Sequence, residues 1–171
     1  MLSLIGAVLI IGSTTFFGIS AFLRLKRRVD MLDTFLFALG QMEREITQRL
    51  LPIPEVLELL IEETKAPVSH FFARVDKGMR EVGVYSFSSI WNKALGASQE
   101  LLLKKEEVRI LEDVGKVLGR YHTQEQKTAL QYAQKRIAQC LKQAQAEKQT
   151  QGKMQATLGV AAGIFVVLIL L

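Results

Sequence analysis

Apolar positions along this chain follow two different rules. Over residues 2–23, "LSLIGAVLIIGSTTFFGISAFL", they run on without a charge until Arg24, and residues 154–171 do the same, finishing in "GVAAGIFVVLILL". Between these runs, hydrophobic residues recur at steps of three and four with charges in the gaps, which is the pattern of amphipathic helices. Leu32, Phe35, Leu36, Leu39, Met42, Ile46 and Leu50 form one such stripe, predicting a buried helix from about residue 29. The segment "LPIP" at 51–54 should stop it, because proline removes a donor and restricts the residue before it. Pro54 suits the first position of a second helix, with Glu55 and Glu58 near its positive end. Pro67 restarts the chain, and Val68, Phe71, Phe72, Val75 and Met79 predict the inner face of a third.

The pattern breaks at "EVGVYSFSS", after which Ser86 or Ser88 is expected to cap a short fourth helix holding Ile90, Trp91 and Leu95. A fifth is expected over about 101–118, with Val108, Leu111, Val114 and Leu118 inward and Gly119 just past its end. Thr123 and Gln126 have capping-box spacing, opening a sixth helix with Leu130, Ala133, Ile137, Leu141 and Ala144 on one face. No strand pattern is present. The expected fold class is all-α: a bundle of about six helices between two transmembrane helices.

Length supports that division. At about 1.5 Å per residue, 2–23 would span roughly 33 Å and 154–171 roughly 27 Å, against a hydrocarbon core about 30 Å thick. Neither run carries the polar stripe of a helix buried in a protein core. The rival for the first run is a cleaved signal peptide, with Gly18-Ile19-Ser20 imitating a small-x-small site. The run is longer than such peptides use and no Lys or Arg precedes it, which favours a retained anchor. The expected organisation is a membrane helix at 1–23, a helical domain at 24–153 and a second membrane helix at 154–171.

Charge gives the orientation. All 22 Lys and Arg and all 17 Asp and Glu lie between Arg24 and Lys153. Arg24, Lys26, Arg27 and Arg28 follow the first run, and Lys148 and Lys153 precede the second; basic flanks of this kind stay on the cytoplasmic side. These topology determinants predict a cytoplasmic centre. The basic ends of the central segment also favour contact with anionic membrane lipid. The chain's pI of about 9.4 invites a nucleic-acid reading, but no basic groove interleaved with aromatics or known binding motif accompanies it. No nucleic-acid partner is expected.

Catalytic signals are weak. Two histidines, His70 and His122, and one cysteine, Cys140, do not make a zinc set. Cys140 falls in the Ala/Leu register of the last helix and reads as a packing residue. No phosphate-binding or dinucleotide glycine motif occurs. The pairs Glu62–Glu63 and Glu106–Glu107 read as solvated helix faces. No catalytic residue, metal ligand or cofactor is expected. Thr14 and Gly18, and Gly159 and Gly163, have the small-xxx-small spacing that lets membrane helices approach closely, so they are candidate helix-packing positions.

Taken in order, "MLSLIGAVLIIGSTTFFG", the basic cluster, "LPIPEVLELL", "KAPVSHFF", "LLLKKEEVRILEDVGKVLGRYHTQEQKTAL" and the final apolar run resemble the stage III sporulation protein AB family of spore-forming bacteria. The combination of Gly115, Leu118, Gly119, Thr123 and Gln126 is the most specific part, and the resemblance covers the whole chain. It implies a helical domain similar to that of the inner-membrane platform protein of type II secretion and type IV pilus systems. It further implies a non-enzymatic membrane platform in the apparatus between mother cell and forespore, meeting a cytoplasmic secretion-type ATPase. One such domain where those platform proteins usually have two, and fewer spans, is a departure from them. A general membrane-anchored helical adaptor or regulator, recruiting a soluble partner to the bilayer, is the alternative.

Overall fold

The computed structural model describes the backbone of residues 2–80, 85–118 and 122–170. Side chains are described at 20, 22–80, 85–118, 122–151 and 154. Among the described residues the fold is all-α. Its elements are α1 (Leu2–Thr47), α2 (Ile53–Glu63), α3 (Val68–Arg80), α4 (Phe87–Ala97), a 3-10 turn (Gln99–Leu101), α5 (Lys105–Val117) and α6 (Thr123–Leu170). At 46 and 48 residues, α1 and α6 are each roughly 70 Å long. The backbone of each apolar run is continuous with the helix beside it, because no proline or described turn interrupts it at the basic clusters. Gly152 lies within α6.

Contacts divide the chain into two compact units, Asp30–Leu141 and Met1–Val29 with Lys142–Leu171. The core of the first is aromatic. Phe71 and Trp91 meet edge-to-face with ring centres 4.9 Å apart, and Phe35, Phe72 and Phe87 complete the group at 5.1–6.4 Å. Leu32, Leu39 and Met42 of α1, Leu57 and Leu60 of α2, and Leu130 and Ile137 of α6 are buried with them. These are the positions the three-and-four spacing selects, since one side of each helix can be removed from water.

Three boundaries differ from expectation. Leu50, placed in the buried stripe of α1, is 70% exposed and has a left-handed backbone at φ 56°. The helix stops at Thr47, and the Leu51 N–H turns back to the Glu45 carbonyl at 3.0 Å, so Leu50 sits at a reversal. The fifth helix begins at Lys105, not near Leu101, because Leu102 is left-handed at φ 51°. The sixth is capped one residue early: the His122 carbonyl accepts from both Glu125 and Gln126 N–H, so Thr123 is already helical. Ser86 does cap α4, accepting from the Ser89 N–H at 3.3 Å. Gly119 lies outside the described residues.

In the second unit, α1 and α6 meet through polar groups. Arg28 Nη1 donates to Glu147 Oε2 at 2.9 Å, and Lys148 Nζ lies 6.0 Å from the centre of the Phe22 ring. Most side chains of the two expected spans lie outside the described residues. Among the described residues, no helix is long and apolar enough to cross a membrane.

Candidate functional site

The expected topology residues do not behave alike. Arg24, Lys26 and Arg27 are exposed. Arg28 is buried, with its charge held against Glu147, so it acts in helix pairing as well as in the local count of positive charge. Lys148 is half-buried against Phe22. The side chains of Lys153, Thr14, Gly18, Gly159 and Gly163 lie outside the described residues, although the backbone at all five is helical.

The residues weighed for catalysis stay apart. His70 and His122 are exposed, and Cys140 is buried in α6. Among the described residues no group of three or more His, Cys, Asp or Glu could hold a metal ion. Glu62 and Glu63 are solvated as expected. Glu106 and Glu107 are not a solvated pair. Glu106 receives Arg136 Nη2 at 2.5 Å, whereas Glu107 is 1% exposed and accepts the Lys104 N–H at 2.7 Å. The carboxylate is buried because it satisfies a backbone donor at the start of α5, where the helix leaves such donors unpaired.

Ion pairs organise the surface of the Asp30–Leu141 unit. Arg74 donates to Ser98 Oγ at 2.9 Å and to Glu100 Oε1 at 2.6 Å, tying α3 to the turn after α4. Its own backbone N–H, then Arg74, hold the Glu100 carboxyl below the usual glutamate value. Arg80 joins Asp76 to Glu58, linking α3 to α2. Arg136 reaches both Glu106 and the Tyr132 hydroxyl, and these bonds, Glu106 first, raise its pKa. Lys116 is likewise raised by its bond to Asp113.

Among the described residues, clefts open between the helices. One of about 640 Å³ lies between α5 and α6 and is lined by Arg109, Ile110, Val114, Tyr132 and Arg136 among others. Another of about 470 Å³ is bordered by Arg74, Lys77, Tyr85 and Lys93. A further one of about 350 Å³ lies between α4, the 3-10 turn and α5. Sequence periodicity gave no sign of any of them, since each depends on which helices are neighbours.

Together these features define an all-helical module whose described surface is built from ion pairs and shallow clefts. The chain belongs to the stage III sporulation protein AB family, whose model matches residues 3–171. It is similar to Stage III sporulation protein AB of Bacillus subtilis (strain 168), with 26% identity over 172 residues covering all of both chains. A solved structure of Stage III sporulation protein AB (SpoIIIAB) shares the fold at a TM-score of 0.66 and 21% identity, covering 72% of this chain and 98% of that one. Family membership gives the protein a role in sporulation.

Proposed function

We propose that this protein is a non-enzymatic membrane platform of the mother cell–forespore channel apparatus, with residues 24–153 in the mother-cell cytoplasm, docking a secretion-type ATPase. The observation that carries this reading is that the two segments holding the uncharged runs, Met1–Val29 and Lys142–Leu171, group in one compact unit. Two apolar helices held together suit a bilayer, where every backbone polar group must be satisfied within the helix. The basic residues beside them, Arg24, Lys26 and Arg27, are exposed, as retention on the cytoplasmic side requires. The ion-paired helical unit then faces the compartment in which an ATPase works. Family membership supports the sporulation setting.

Two measurements test it. A periplasmic-type phosphatase fused after residue 171 should be active, and one fused after residue 100 inactive; the opposite result would overturn the orientation. The full chain purified from sporulating cells should retain a secretion-type ATPase and show no nucleotide hydrolysis once that partner is removed. Hydrolysis that persists after removal would favour an enzyme, and retention of a different soluble protein in place of the ATPase would favour the adaptor reading.

A further inference from the structure

The cleft between α3 and α4 carries charge of one sign. Arg74 and Lys77 stand on its α3 side and Lys93 on its α4 side, and among the described residues no carboxylate lines it. Arg74 is already bonded to Glu100, whereas Lys93 is exposed and makes no ion pair among the described residues. The apolar lining is Gly78, Ile90, Ala94 and Ala97, with Ile90 and Ala94 buried as the floor. Ser89 and Tyr85 add hydroxyls and no charge. Gly78 lets the two helices close on each other, since a Cβ there would stand 2.6 Å from Ile90 Cγ2. The result is a trough of about 470 Å³ with an apolar floor and basic walls.

The same unit carries the opposite surface on α2. Glu55, Glu58, Glu62 and Glu63 are exposed there, and Leu59 among them is half-buried. Residues three and four apart on a helix are neighbours, so Leu59 has Glu55 one turn before it and Glu62 and Glu63 one turn after. Glu58 is bonded to Arg80, while Glu55, Glu62 and Glu63 make no ion pair among the described residues. Ridge and trough lie on opposite sides of α3. Arg74 and Gly78 border the trough, whereas Asp76 and Arg80 form the pair that reaches Glu58 of α2. Between Arg74 and Arg80 the helix rises only roughly 9 Å. The two surfaces therefore share a level along α3 and point apart, so one copy cannot close its ridge into its own trough.

We propose that the trough receives the α2 ridge of a second copy of this chain. Leu59 of the incoming helix would seat on Ile90 and Ala94, and its flanking glutamates would meet Lys77, Lys93 and Arg74. Charge complementarity selects this occupant: the trough offers cations around an apolar floor, and the ridge offers carboxylates around an apolar knob. Each copy presents both patches, so the contact is heterologous and its repetition gives a ring or an open row. Because ridge and trough share a level, the copies stand side by side. The inference does not rest on the platform reading.

The full chain in detergent micelles is followed by light scattering. It should associate at about 50 mM NaCl and come apart at about 500 mM, where exposed charges are screened. Lys77→Glu with Lys93→Glu should weaken association about tenfold, and so should Glu62→Lys with Glu63→Lys, because either pair sets like charges face to face. All four positions are exposed, and lysines in the last turn of α2 suit its dipole, so the unfolding midpoint should hold. Mixing the two variants, or placing all four changes in one chain, should restore association, which a folding defect could not do. A chain that stays monomeric at low salt, association that neither pair of changes weakens, or reversal of both surfaces without recovery would each overturn the proposal.

Discussion

The indole of Trp91 fills the space that a side chain at Gly115 would need. A Cβ built on Gly115 would stand 2.3 Å from Trp91 Cδ1 and 2.6 Å from Cγ. The same indole donates from Nε1 to the Leu111 carbonyl at 2.8 Å, one turn earlier on α5. The ring is held from the other side by Phe71, Phe72 and Phe87. Glycine at 115 is therefore a packing requirement of the α4–α5 contact.

Gly115→Ala should lower stability by about 2 kcal/mol, the cost of overpacking a filled core, even though alanine favours a helix by about 1 kcal/mol. Gly96→Ala is the control. It is helical too, but nothing lies within 4 Å of its Cβ position, so that change should be neutral or slightly stabilising. Urea unfolding followed by the fluorescence of Trp91, the chain's single tryptophan, checks both. Equal effects would mean that the Trp91 contact is not what selects glycine.

Glu107→Ala should cost about 1–3 kcal/mol, because it leaves the Lys104 N–H without its acceptor at a buried helix start. Glu107→Gln keeps an oxygen at that position and should lose less. Hydrogen exchange at the Lys104 amide is the specific readout. A large global loss with unchanged exchange there would assign Glu107 to packing instead.

Glu100 gives a prediction about acid. Its carboxyl is held below the ordinary value of 4.5 by its own backbone N–H and by Arg74. A carboxylate favoured in the folded state contributes stability above the unfolded pKa and loses it as pH falls through the lower folded value. Stability should therefore decline below about pH 4.5, and Arg74→Ala should make that decline shallower. Both groups are partly exposed, so added salt should weaken the difference. Carboxyl NMR titration of Glu100 in the two proteins measures it directly, and an identical Glu100 titration in both would exclude Arg74 as a cause.

The platform proposal predicts that Ile164→Arg expels the C-terminal helix from the bilayer while the first run still anchors the chain. Ten of the fourteen residues at 158–171 are Leu, Ile, Val or Phe, each favouring insertion by roughly 0.3–0.6 kcal/mol. One central arginine costs about 2.5–3.5 kcal/mol, a comparable sum. Carbonate extraction should still find the mutant in membranes, with its C-terminus accessible from the cytoplasm and spore formation lost. Normal sporulation with the C-terminus in the cytoplasm would make the second span dispensable.

Much of the fold could be read from spacing, because Leu32, Phe35, Leu39, Met42 and Ile46 mark a helix whose neighbours must cover one side. Spacing failed at Leu50 and Leu102. Both sit in left-handed turns that usually advertise themselves with glycine, and a leucine there breaks no periodic pattern. Glu107 carried a partial signal in its distance from Lys104, three residues, but without Ser or Thr at the cap it read as a solvated charge. The Arg28–Glu147 pair left no local trace, since its partners are 119 residues apart. Lys77 and Lys93 come to line one cleft only when α3 packs on α4.

The pairing of α1 with α6 has a consequence for synthesis. Glu43 of α1 accepts hydrogen bonds from Gln131 and Gln134 of α6 at 2.7 Å, across 88 and 91 residues of chain. A ribosome adding about 5–20 residues per second therefore releases α1 several seconds before its partner exists. Through that interval the middle of α1 must wait with its α6-facing groups uncovered, while α2 to α5 already have one another to pack against. The first helix made is among the last to be completed, and any factor that shields a nascent helix has its clearest substrate here.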